Sequence, residues 1–126
     1  MRETILLVED ELFVALDVQT TVEDDGFLVD GPYATLRETL EALTAQGHAR
    51  PACAILDVRL KDGEVFPAAD WLRDAGVPII FHSGHADQLT LERRYPGAAI
   101  CGKPCSPTIL RTQLFNILAA YRNTQR

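Results

Sequence analysis

The sequence predicts an open α/β fold built around a mostly parallel sheet. Short apolar runs recur along the chain, helical periodicities separate them, and glycines mark the junctions. Thr4 to Val8 is an apolar run too short for a helix and bounded by acidic residues, which suits a strand covered on both faces. Ala52 to Leu56 and Val77 to Phe81 read the same way, Ala98 to Cys101 is a shorter candidate, and Phe27 to Val29 follows Gly26. Between these strands, Leu12, Leu16 and Val22 suggest a first helix, Leu36, Leu40 and Leu43 a second, and Phe66, Ala69, Trp71 and Leu72 a third. The Leu positions and Trp71 read as core. Asp87 to Arg94 reads as a short polar helix, and Ile109, Leu110, Leu114, Ile117, Leu118 and Tyr121 share a broad apolar face on the last one. Ser106 and Pro107 are suited to its N-cap and first turn. Gly26, Gly47 and Gly76 each close a helical segment before a strand.

Composition limits the function. The chain has 126 residues, 47% of them hydrophobic, enough for one domain with a single buried core. A net charge of −6 opposes attraction to phosphate backbones, so direct nucleic-acid binding is not expected. No apolar run is long enough to cross a bilayer, and the amino terminus lacks the order of a signal peptide, so a cytoplasmic protein without membrane contact is expected. Cys53, Cys101 and Cys105 are odd in number without a secretory signal, which predicts reduced thiols.

In open parallel sheets the site lies at the carboxyl ends of the strands. Glu9 and Asp10 follow the first strand there, Asp57 the third, Ser83 the fourth, and Lys103 with Pro104 the fifth. Several carboxylates brought together repel one another unless a hard, oxygen-preferring cation neutralises them, and Mg²⁺ suits that task. A carboxylate is a competent nucleophile toward phosphorus, so Asp57 fits an aspartyl-phosphate chemistry. Lys103 would offer a point charge to a phosphoryl oxygen and Ser83 a hydroxyl donor.

The segments Ile5 to Glu11, Ile55 to Gly63, Phe81 to His85 and Gly102 to Pro104 together resemble the signature segments of response-regulator receiver domains, in the right order along essentially the whole chain. The resemblance implies a flavodoxin-like (βα)5 receiver spanning residues 1–126, with helices on both faces of a five-stranded parallel sheet of order 2-1-3-4-5. It makes Asp57 the phosphoacceptor and Asp10 a direct metal ligand. Glu9 would position metal-bound water, and the Arg59 backbone carbonyl would face the Mg²⁺. Ser83 becomes the phosphate-sensing hydroxyl and Lys103 its ammonium partner, with a cis bond between Lys103 and Pro104. Such a domain catalyses its own phosphorylation and dephosphorylation rather than turning over small molecules. Its expected donors are a sensor histidine kinase or a histidine phosphotransfer protein. With no output domain in view, the message would pass to a downstream protein, or phosphate would drain into a sink; dimerisation on activation stays open.

The sequence departs from common receivers at Ile100, where the family places a switching Tyr or Phe, and at Lys61, where Pro is frequent. Phe81-His82-Ser83-Gly84-His85 instead resembles the atypical receivers often called FATGUY, which lack that aromatic. The switch is then expected in the loop through Gly84 and His85, beside Ile100 and Pro104. Other readings are a phosphorylation-independent binding module of the same fold and, less well supported, a metal-dependent phosphohydrolase. Against the latter, Glu9-Asp10-Glu11 is not Asp-x-Asp and no cap insertion follows. A flavin site lacks its phosphate loop after Val8. His82, His85, Cys101 and Cys105 are zinc-ligand types on neighbouring strands, but their spacing matches no recognised zinc pattern, and His48 reads as an ordinary turn residue.

Overall fold

The computed structural model describes residues 2–124. Strands β1 (Thr4–Val8), β2 (Leu28–Tyr33), β3 (Cys53–Asp57), β6 (Ile79–Ser83) and β7 (Ala99–Gly102) form one parallel sheet of order β2-β1-β3-β6-β7. Leaving aside β4 (Arg59–Leu60) and β5 (Gly63–Glu64), a small antiparallel pair, this is the expected order 2-1-3-4-5. Helices α1 (Leu12–Asp24), α2 (Leu36–Thr44), α3 (Phe66–Asp74), α4 (Gln88–Arg94) and α5 (Pro107–Thr124) complete the flavodoxin-like receiver fold.

Strand side chains alternate strictly between two cores, because successive residues of a strand face opposite sides of the sheet. Leu6, Val8, Ala54, Leu56, Ile79 and Phe81 pack with Leu43, Ala68, Ala69, Leu72, Leu91 and Tyr95 from α2, α3 and the end of α4. On the other face, Ile5, Leu7, Cys53, Ile55 and Ile80 pack with Val18 and Val22 of α1 and with Leu110, Leu114 and Leu118 of α5. Both faces are therefore covered, which explains the nearly continuous apolar runs of β1, β3 and β6.

Helix ends follow their local chemistry. Thr35 accepts a hydrogen bond from the Glu38 amide at 3.1 Å, while the Asp62 carboxylate accepts from the amides of Leu36 and Arg37 at 2.8 and 3.0 Å. Thr35→Ala should lower stability by about 1 kcal/mol in a urea melt; the tie from Asp62 keeps the effect from being larger. At the start of α5 the Ser106 hydroxyl accepts from the Ile109 amide at 3.2 Å, as its position before Pro107 predicts. Gly26, Gly47 and Gly76 adopt φ of 94°, 81° and 74°, where a side chain would be strained.

Several expectations about the core fail. Leu12, Leu16, Trp71 and Ile109 are exposed, because α1, α3 and α5 bury narrower stripes than their apolar content implies. β2 runs further than expected, through Gly31 and Pro32, which an edge strand tolerates. The thiols also differ. Cys101 and Cys105 form a disulfide with a Cα–Cα separation of 5.7 Å, and among the described residues only Cys53 is free. The odd count says nothing about a local pair, and the turn after β7 returns Cys105 to the layer that Cys101 faces.

Candidate functional site

Parallel register places the chemistry at one end of the sheet. Val8 pairs with Leu56, Asp57 with His82, and Ser83 with Gly102, so the residues ending or following β1, β3, β6 and β7 meet above one edge. Carboxylate oxygens of Glu9, Asp10 and Asp57 all lie within 4.8 Å of one another. Lys103 Nζ stands 3.1 Å from Asp57 Oδ1 and 3.5 Å from Glu9 Oε1. Its backbone amide donates to the Ser83 carbonyl at 2.9 Å, which fixes the root of the side chain to the neighbouring strand. The Lys103–Pro104 peptide bond is cis.

Glu9 and Asp57 are almost wholly buried, at 3% and 4% exposure, and burial alone would hold both as neutral acids. Their neighbours separate them. Against its own burial, Glu9 is drawn down to about 2 by His82, Asp57, the Glu11 amide and Lys103. Asp57 is pushed up to about 7 by burial first and then by the Glu9 carboxylate, with Lys103 opposing. Below about pH 7 the metal-free pair therefore favours holding one proton, on the Asp57 side. Lys103 is raised above its ordinary value; its own burial opposes this, and the two carboxylates outweigh it.

Three further buried atoms bear on the site: Glu9 Oε1, Ser83 Oγ and His82 Nε2 make no hydrogen bond within the protein. Buried polar atoms of folded proteins are normally partnered; Glu9 Oε1 has the Lys103 and His82 nitrogens 3.5 Å away, whereas the Ser83 hydroxyl and His82 Nε2 have no partner within the protein. An all-oxygen acidic group beside an unpaired hydroxyl and an ammonium fits a hard cation together with an oxyanion, and fits a soft metal poorly. Among the described residues this is the one group with metal-holding geometry, so the zinc alternative at His82, His85, Cys101 and Cys105 is not supported. His82 instead lies under the site, its Nδ1 3.5 Å from Glu9 Oε1. His85 is exposed on a single 3-10 turn, His85–Asp87, that leads into α4.

Sequence reading missed two ties. Arg59 reaches across to Asp87, with Nη2 2.8 Å from Oδ1 and Nε 3.4 Å from Oδ2, joining the segment after Asp57 to the loop after Ser83. The partners are 28 residues apart and no local pattern announces them. His48 meets Asp30 at 2.7 Å, and Tyr33 donates to the same carboxylate, so this turn residue binds the α2–β3 connection to β2. Ile100 is half-buried against the core that holds Phe81 and Tyr95; the Tyr95 ring stands 5.0 Å from Phe81, and its hydroxyl donates to Asp70 at 2.6 Å. The Arg59–Asp87 tie spans the segment after β3 and the loop after β6. Arg59→Ala should speed amide exchange across His85–Arg94 by about threefold to tenfold and leave α1 and α2 unchanged.

A five-stranded parallel sheet of this order with helices on both faces is the flavodoxin-like receiver fold, and here an acidic group, a hydroxyl and a lysine stand at the carboxyl ends of its strands. No family model matches the chain. It is similar to a response regulator receiver protein from Sinorhizobium medicae, with a TM-score of 0.84 and 29% identity over 95% of this chain and 97% of that one. It is also 27% identical over 128 residues to the phyllosphere-induced regulator PhyR of Methylorubrum extorquens; all of this chain aligns, but it spans only 47% of that relative's length. PhyR from Brucella abortus shares the fold, at a TM-score of 0.84 and 24% identity over 99% of this chain and 51% of that one.

Proposed function

We propose that Asp57 accepts a phosphoryl group from the phosphohistidine of a sensor histidine kinase or histidine phosphotransfer protein. The observation that carries this reading is the buried Asp57 carboxylate, held 3.1 Å from Lys103 Nζ inside a group of acids. In the transfer, an Asp57 oxygen forms a bond to phosphorus as the bond from phosphorus to the imidazole nitrogen breaks, and the departing imidazole takes up a proton. Lys103 turns from Asp57 Oδ1 to a phosphoryl oxygen, and the Ser83 hydroxyl donates to another. Glu9, Asp10, Asp57 and the Arg59 carbonyl would hold Mg²⁺, which when bound neutralises the carboxylates and the incoming phosphoryl charge. Phosphorylation would bias the loop carrying Gly84 and His85, beside Ile100 and Pro104, and so change the surface offered to a downstream protein. The net charge of −6 and the lack of a membrane-length apolar helix among the described residues are compatible with a cytoplasmic protein that binds no nucleic acid directly.

Incubation with Mg²⁺ and a small phosphodonor, read by intact mass, tests this. One phosphoryl adduct should form on the natural chain and none on Asp57→Asn. A full adduct on the variant would remove Asp57 from the role and the proposal with it.

A further inference from the structure

Two cysteines bracket the lysine of the site. Cys101 is the third residue of β7, its side chain facing the α1 and α5 layer, next to His82 in register. Beyond Gly102 the chain turns at Lys103 and Pro104 and returns Cys105 to the same layer. The 5.7 Å between the two Cα atoms lies in the middle of the range a disulfide accepts. Access is uneven. Cys101 is buried, whereas Cys105 lines a cleft of about 330 Å³ with Asp17, His82, Lys103 and Pro104. Cys53 is fully enclosed, and burial pushes its thiol up to about 12.

We propose that Cys101 and Cys105 are a reversible dithiol–disulfide site, oxidised by a low-molecular-weight disulfide entering this cleft, whose state sets the mobility of the Lys103 turn. The Cys105 thiolate attacks the small disulfide, forming a mixed disulfide and releasing one thiolate. The Cys101 thiolate then displaces the second small thiolate from Cys105, closing the bond. Two protein thiols lose two protons and two electrons, and the small disulfide gains them as two thiols. In the cytoplasmic setting proposed above, such bonds are transient and regulatory rather than structural. The closed ring is short, with a sequence separation of 4, and Lys103 sits at its centre. Closing it removes freedom from the turn that presents Nζ to Asp57, while the Lys103 amide remains tied to the Ser83 carbonyl.

The consequence for phosphorylation rests on the reading of Lys103 given above; bond formation does not, and it is measured without any phosphodonor. The full chain is equilibrated in mixtures of reduced and oxidised glutathione, quenched by alkylation and weighed intact. The natural chain should lose the mass of two hydrogen atoms, regain it with reductant, and leave Cys53 unalkylated until denatured. Cys105→Ser, at a more accessible position than Cys101→Ser, should not close the bond. Amide exchange across Gly102–Ser106 should slow by at least about threefold on oxidation. A chain that never loses the mass of two hydrogen atoms and, once denatured after the quench, is still alkylated at both Cys101 and Cys105, or that stops at a stable glutathione adduct, overturns the site. Bond closure with unchanged exchange in that turn overturns its control of Lys103.

Discussion

Without metal, the domain should lose roughly 2 to 3 kcal/mol of stability as the pH is raised from about 5 to about 8. Asp57 is the cause, since burial and then the Glu9 carboxylate raise it from an ordinary value of 3.8 to about 7. An acid raised by folding binds its proton more tightly in the folded chain. Its contribution is therefore complete below the unfolded value and is lost as the pH climbs through the folded one. Glu9 acts at the other end: lowered from 4.5 to about 2, it contributes above 4.5 and loses that contribution as the pH falls toward 2. The metal-free optimum should thus fall near pH 4 to 5. Asp57→Asn should flatten the limb between about pH 5 and 8. Millimolar Mg²⁺ should stabilise the natural chain more at the upper end than at the lower, where the cation must displace a proton. Urea melts across this range, with and without Mg²⁺, read all three outcomes. A flat metal-free profile for the natural chain would show that Asp57 does not carry the shared proton.

Asp10→Ala should weaken Mg²⁺ binding at least tenfold, or about 1.4 kcal/mol, by titration calorimetry. Asp10 sits less deeply than Glu9 and belongs to the group whose oxygens lie within 4.8 Å. Glu9, by contrast, already accepts from the Glu11 amide at 3.1 Å and faces Lys103 and His82, so part of its charge is spent inside the protein. The same substitution should raise the urea midpoint in metal-free buffer above about pH 7, where Asp57 has lost its proton and one of three mutually repelling carboxylates is gone. Equal Mg²⁺ affinity in the two proteins would take Asp10 out of the metal site.

The sheet was legible wherever strands are covered on both faces. β1 and β3 announce themselves as apolar runs, whereas β2, at the edge, contains Asp30, Gly31 and Pro32 and was read only in its first residues. The start of β6 moved from Val77 to Ile79, where ladder pairing with β3 begins. Helical periodicity finds apolar faces without saying what covers them, which is why Leu12, Leu16 and Trp71 read as core, and Ile109 as part of an apolar face, yet all four stand exposed. Glu9, Asp10, Asp57, Ser83 and Lys103 could be gathered from sequence because each ends or follows a strand, and parallel strands bring those positions together. Contacts that depend on side-chain reach left no such trace. Arg59 with Asp87, His48 with Asp30 and Cys101 with Cys105 are set by how loops turn, and residue order does not encode that at short range.

The edges of the sheet limit how copies of this domain can associate. At β2, Pro32 offers no amide hydrogen, and the pairing with β1 shifts register between Leu6 and Val8, so the outer row of backbone groups is broken. At the opposite edge, β7 is only four residues long and ends in the turn closed by Cys105. Neither border is a regular template for another strand, and the domain should resist edge-to-edge aggregation at high concentration. Assembly should therefore favour helix and loop surfaces over the sheet edges, and such contacts can be made and released without unravelling the sheet.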